Sequence, residues 1–147
     1  PVVAVARSLA AEFAGKPKNA KFFDCASDPK KADLVAEALV QDWLTAKQVA
    51  EMGGARFTAF LQPIAYLSKS RVDHLKLEED LGEQFKAVYP LIRSKMRQRG
   101  IGIDLSAVLD QNEYYFIDFC HVSPNGNEII ARAMKETLAS RAQSMAN

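Results

Sequence analysis

The sequence predicts an α/β fold in which helices layer on a parallel sheet, and two observations carry that expectation. Long stretches with apolar residues at helical spacing alternate with short aromatic or β-branched ones, and the short ones end in turn signals such as Gln62-Pro63 and Ser123-Pro124-Asn125-Gly126. Strands that alternate with helices form a parallel sheet, and the ligand site of such a sheet lies at the carboxyl ends of its strands. Gln62 and Asp118 both fall at such ends.

The elements follow in order. Val2, Val5, Leu9 and Phe13 fall at roughly helical spacing, and Gly15-Lys16-Pro17 stops the pattern, which predicts an N-terminal helix. Residues 16 to 28 read as a loop anchored by Phe22-Phe23. Ser27-Asp28-Pro29 supplies an N-cap followed by proline at the first helical position. Leu34, Val35, Ala38, Leu39, Trp43, Ala46, Val49 and Ala50 then form one apolar stripe, which runs to Met52 before Gly53-Gly54 ends it. The aromatic run Ala55 to Leu61 reads as a buried parallel strand closed by Gln62-Pro63. Residues 64 to 77, with charge at Lys69, Arg71, Asp73 and His74, read as a mobile loop over the strand's end. A second long helix is expected from Leu77 to Arg99 through Leu81, Phe85, Val88, Leu91, Ile92 and Met96, with Pro90 as a kink or break and Gly100 as its stop. Short extended pieces are expected within Ile101 to Leu109 and at Tyr115 to Asp118. A last helix turns Ile129, Ile130, Ala133, Met134 and Leu138 inward.

Composition excludes several classes of function. With 147 residues, 48% of them hydrophobic, the chain suits a single domain with a core of its own. The net charge is +1 and the two signs are interspersed, so no phosphate-binding surface is indicated and nucleic acid is not an expected partner. No apolar run reaches the roughly 18 residues of a membrane span. No signal peptide is visible, and Pro1-Val2-Val3-Ala4-Val5-Ala6 looks like the inside of a domain, so an upstream segment is expected. Cys25 and Cys120 read as buried thiols, since two cysteines make no disulfide scaffold and no CxxC is present. Cys25, Cys120, His74 and His121 have no recognised metal-ligand spacing, so a zinc site is not expected.

The stretch richest in chemistry is Tyr115 to Asn127. It sets Asp118 and His121 three apart where an apolar run turns into a helix. An imidazole takes a hydroxyl proton, and a carboxylate fixes its tautomer and stabilises the imidazolium. The alternative for His121 is an ordinary helix-start or surface histidine, but its surroundings favour the catalytic base. The alternative for Asp118 is a turn-forming Asp bonded to nearby backbone N–H groups, a role compatible with catalysis. Cys120 beside His121 suggests a thiol nucleophile, but successive side chains in an extended segment diverge, which favours a buried structural thiol. Gln62 either lines a substrate cleft or satisfies loop backbone. Trp43 reads as core.

Asp118-Phe-Cys-His121 followed by Val-Ser-Pro-Asn-Gly-Asn and an apolar helix resembles the last block of the SGNH, or GDSL-type, ester hydrolases. Ala55 to Pro63, Tyr89-Pro90-Leu91 and Ile103-Asp104-Leu105 also look like segments that precede this block in bacterial members, so that the resemblance covers most of residues 30 to 140. It implies a three-layer, flavodoxin-like parallel sheet flanked by helices, a serine ester hydrolase acting on acyl or acetyl esters with no metal or organic cofactor, His121 as general base and Asp118 orienting it. The family's Gly-Asp-Ser nucleophile and its Gly and Asn oxyanion donors have no counterpart here. Ala6-Arg7-Ser8-Leu9 lacks the Gly and Asp, Ser8 falls within a helical pattern, and Asn127 belongs to the turn after His121. The departure implies that residues 1 to 147 match the C-terminal part of the domain, with the serine upstream, so that this chain alone is catalytically silent. Two other readings stand beside it. One is a non-catalytic binding or assembly module that forms homo-oligomers or associates with a missing N-terminal segment through exposed strand edges. The other is an acyltransferase using the same triad.

Overall fold

A computed structural model describes residues 24–144. The predicted N-terminal helix, Ser8 and the Phe22-Phe23 anchor lie outside those residues. The described chain is mixed α/β: helix α1 (Pro29–Met52), strand β1 (Phe60–Leu61), helix α2 (Glu79–Arg99), strand β2 (Ile103–Asp104) and helix α3 (Pro124–Ser144). The two strands pair in parallel, Phe60 opposite Ile103 and Leu61 opposite Asp104, with α2 as the crossover between them.

Local chemistry explains where the helices start and stop. Asp28 caps α1, its Oδ1 accepting from the backbone N–H groups of Lys30 (3.0 Å) and Lys31 (3.1 Å), and Pro29 needs no partner for the N–H it lacks. Gly53 closes α1 by donating to Ala50 O at 3.0 Å, and Gly100 ends α2 in the left-handed region with φ 61°. Of the kink or break expected at Pro90, the break does not occur: α2 runs without interruption from Glu79 to Arg99. Pro90 and Lys86, whose carbonyl loses its helical donor, both lie on the exposed side, where water can take that carbonyl.

The two long helices pack on each other along a face different from the expected one. Ala32, Ala36 and Val40 are the buried residues of α1, whereas Leu34 is 68% and Val49 65% exposed. The expected apolar stripe therefore lies largely on the flank, although Leu39 and Trp43 of that stripe are partly buried against this core. Small side chains at 32 and 36 let α2 approach closely, which decides the contact face over hydrophobicity alone. From α2, Val88, Tyr89, Ile92 and Met96 complete this core with Leu61, Ile64 and Ile101. Lys95 bridges Asp33 (2.8 Å) and Glu37 (3.0 Å) across the rim. A largely apolar cavity of about 560 Å³ opens between α1, α2 and β1, lined among others by Leu39, Trp43, Phe60 and Phe85.

The turn into β2 depends on Gly102. Its φ is 78°, and a Cβ there would stand 2.9 Å from Met96 Cε and 3.1 Å from Trp43 Cζ3. Gly102→Ala is expected to cost about 2–3 kcal/mol, combining backbone strain with overpacking. Gly54→Ala, at a similar φ of 74° with no atom in reach, should cost only about 1 kcal/mol. Urea unfolding of both variants separates the packing contribution from the backbone one.

The extended pieces are shorter than predicted. Of Ala55 to Leu61 only Phe60–Leu61 is a strand, and Tyr115 to Asp118 is not one. There the chain folds back on itself. Ile117 N–H donates to His121 O at 2.8 Å and Ser123 N–H to Tyr115 O at 2.7 Å, leaving a single antiparallel bridge between Phe116 and Val122. Tyr115 and Phe116 are buried, but Ile117 is 63% exposed. Residues 64 to 77 are not a free loop. Ala65 N–H donates to Phe119 O (2.9 Å) and Arg71 N–H to Glu113 O (2.9 Å), Ser70 Oγ donates to Leu109 O, and His74 Nε2 lies 2.8 Å from Phe116 O. Val72, Leu75 and Leu77 pack on a second core of Ala65, Leu109, Tyr115 and Phe116, which explains why the segment stays down. On α3, Ile129, Ile130, Ala133 and Met134 are half-buried, while Leu138, expected inward, is 44% exposed. Among the described residues no helix is long and apolar enough to cross a membrane.

Candidate active site

Asp118 and His121 occupy the turn between the bridge partners Phe116 and Val122, immediately before α3. Asp118 Oδ1 accepts from the backbone N–H groups of His121 (2.7 Å) and Cys120 (2.9 Å), which leaves Oδ2 to face His121 Nδ1 at 2.7 Å. The turn-forming and histidine-orienting roles weighed for Asp118 therefore coexist, one on each oxygen. The backbone N–H of His121, then that of Cys120, then the imidazole hold the carboxyl well below the usual carboxylate range. Asp118 is thus an anion facing Nδ1, the arrangement that keeps the imidazole proton on Nδ1 and the Nε2 lone pair free.

The helix that follows is fixed as firmly. Ser123 Oγ accepts from Gly126 N–H (3.2 Å) and its carbonyl from Asn127 N–H (2.9 Å), with Pro124 opening the first turn. A Cβ on Gly126 would lie 3.1 Å from Val122 Cβ and 3.3 Å from Tyr115 O, so glycine lets the helix start lie close against the turn.

His121 is open to solvent, its side chain 74% exposed, and it borders a cleft of about 420 Å³. Phe60, Gln62, Leu105, Cys120, Asn127 and Met134 are among the residues that share this cleft. The structure thereby brings Gln62, at the end of β1, to the same cleft as His121. Gln62 is exposed, and its carbonyl accepts a 3.3 Å hydrogen bond from Tyr89 Oη. No serine lines the cleft among the described residues.

Two features escaped the sequence reading. Asn127 lines the cleft from α3 beside Ile130 and Met134, which were expected inward, and the i, i+3, i+7 spacing from Asn127 marks one helix face. Cys120 is half-buried, and its Sγ lies 3.6 Å from His121 Nδ1. Divergence of neighbouring side chains holds for extended backbone, and this backbone is a tight turn. Burial, then the negative charge of Asp118, pushes the Cys120 thiol up from its ordinary value. A thiol so disposed is poorly suited to act as an anionic nucleophile at neutral pH. Cys25 is free and buried, as expected. His74 is spent on structure, its ring packed edge-on against Tyr114 at 4.9 Å and bonded to Phe116 O. Compared with protein-family models, curated proteins and solved structures, the chain matches none.

Proposed function

We propose that this chain carries the acid–base half of an SGNH-type serine ester hydrolase acting on acyl or acetyl esters, and that it is the C-terminal part of a three-layer, flavodoxin-like domain. The observation that carries the reading is the 2.7 Å contact between His121 Nδ1 and an Asp118 carboxylate already fixed by two backbone amides, beside an open cleft. A dyad held this way does one thing well. His121 Nε2 takes the proton of an attacking hydroxyl as the new C–O bond forms, and Asp118 stabilises the imidazolium until the proton passes to the departing alkoxide. Water, deprotonated by the same imidazole, then releases the acyl group. In this reading the nucleophile is a serine upstream of Pro1, because residues 1 to 147 contain no Gly-Asp-Ser motif. Among the described residues β1 is paired on one edge only, and its other edge and the apolar cavity beside it suit the strands that would bring it. Gln62 would contact substrate from the end of β1.

The test is covalent. Full-length protein should hydrolyse a chromogenic acetyl ester, and a fluorophosphonate should inactivate it by modifying a serine upstream of residue 1. A full-length protein that turns over no ester and takes no label would sink the reading and favour the non-catalytic module. Transfer of the acyl group to an added alcohol in preference to water would identify the acyltransferase instead.

A further inference from the structure

We propose that Asp118, Cys120 and His121 bind a thiophilic divalent cation of the Zn²⁺ class, and that the bound ion switches off the base. The binding half stands on geometry alone; the inhibitory half rests on the hydrolase reading. One oxygen, one sulfur and one nitrogen ligand atom from these three side chains lie within 4.8 Å of one another. The Cys120 Sγ to His121 Nδ1 separation of 3.6 Å is close to the roughly 3.5 Å edge of a tetrahedral site with zinc bonds of about 2.3 Å to sulfur and 2.0 Å to nitrogen. Nδ1 and Asp118 Oδ2, now 2.7 Å apart with a proton between them, would open to roughly 3.3 Å as the ion takes that proton's place. Little resists this movement, because the His121 and Asp118 side chains are 74% and 47% exposed.

The turn supplies what a metal site needs. Asp118 Oδ1 stays on its two backbone amides, so Oδ2 is presented as a single oriented ligand supported by hydrogen bonds on its other oxygen. All three donors come from four consecutive residues, so no long loop has to close around the ion. A sulfur and an imidazole select zinc-like ions over Mg²⁺ and Ca²⁺, which prefer oxygen. The thiol proton is released to solvent on binding and no electron is transferred. Water fills the fourth position.

The consequence for the dyad is a matter of tautomers. A neutral imidazole bound to metal through Nδ1 carries its proton on Nε2. It then has no lone pair there with which to take a hydroxyl proton. The same side chain that serves as base when Asp118 holds Nδ1–H is inert when the ion replaces that hydrogen. Cys120, which the proton-transfer chemistry leaves unused, is the residue that makes the ion bind.

Titrating the reduced, metal-free 147-residue chain with Co²⁺ tests the binding. One equivalent should give a thiolate-to-cobalt charge-transfer absorption in the near ultraviolet, displaced by Zn²⁺. Cys120→Ser should abolish the band, and both Cys120→Ser and His121→Ala should weaken Zn²⁺ binding by on the order of tenfold or more, whereas Cys25→Ser should leave both intact. A band that survives Cys120→Ser, a band lost in Cys25→Ser, or Zn²⁺ affinity equal in the parent, Cys120→Ser and His121→Ala proteins would overturn the site. Circular dichroism confirms that each variant is folded. In the full-length protein, Zn²⁺ inhibition of ester turnover, taken relative to each protein's own uninhibited rate, should be lost in Cys120→Ser. Equal inhibition of parent and variant would overturn the switch. Absence of any esterase activity would remove the hydrolase reading while the cobalt result still stands.

Discussion

His121→Ala in the full-length protein is expected to lower kcat for an acetyl ester by about ten-thousand-fold or more, with KM little changed. The alanine variant keeps the cleft and loses only the group that moves the proton. Asp118→Asn should fall by a comparable factor for a different reason. The amide oxygen can still accept from the His121 and Cys120 N–H groups, which now meet Asp118 Oδ1 at 2.7 and 2.9 Å. Its NH₂ then points at Nδ1, which must become an acceptor, so the ring proton moves to Nε2 and the base is lost. Equal loss in both variants identifies a unit; turnover retained in either one removes that residue from the mechanism.

Asp118 also makes a stability prediction with a definite sign. Its carboxyl titrates lower in the folded chain than in the unfolded one, so in acid the unfolded state binds the extra proton. The stabilisation is present above the unfolded value near 4 and is lost as pH falls toward the depressed folded value. Urea midpoints of the parent and Asp118→Asn should therefore differ most at neutral pH and converge below about pH 4. A gap that widens in acid would contradict the depressed carboxyl.

How much of this was legible in the sequence depended on how local the cause was. Asp28-Pro29, Gly53 and Gly100 act within one helical turn, and the ends of α1 and α2 fell where those residues put them. Asp118 and His121 are three residues apart, so their contact is likewise a local event. The buried face of α1 was misread because it is chosen by the partner. Ala32 and Ala36 are buried through the close approach of α2, which hydropathy along α1 does not encode. Strand lengths failed for the same reason, since a strand extends only as far as its neighbour, and β1 has its partner over two residues. The convergence of Cys120 on His121 was hidden by reading Tyr115 to Asp118 as extended. Once Ile117 N–H bonds to His121 O, alternation of side chains no longer applies.

Leu109→Ala is expected to produce the largest loss of stability, about 3 kcal/mol. Leu109 is fully buried at 0% exposure and sits among Ala65, Tyr115 and Phe116, with Ile129 and Ile130 of α3 packed alongside. Truncation removes the transfer free energy of the isobutyl group and leaves a cavity that these neighbours cannot fill. They are held in place by backbone bonds, among them Ser123 N–H to Tyr115 O at 2.7 Å and Ala65 N–H to Phe119 O at 2.9 Å. The urea midpoint should drop with the slope unchanged, the mark of lost stability without a changed denatured state. Met52→Ala, at 88% exposure on the end of α1, should stay within about 0.5 kcal/mol and serves as the control. The hydrogen bonds that Asp118 makes to the Cys120 and His121 amides and to the His121 ring lie within residues 118 to 121, and Ile117 N–H to His121 O closes the turn, whereas Leu109 supports only the run leading into it. Turnover per folded molecule in the full-length Leu109→Ala protein should therefore match the parent. A loss of turnover beyond the unfolded fraction would show that this second core, and not the turn alone, sets the distance between Asp118 and His121.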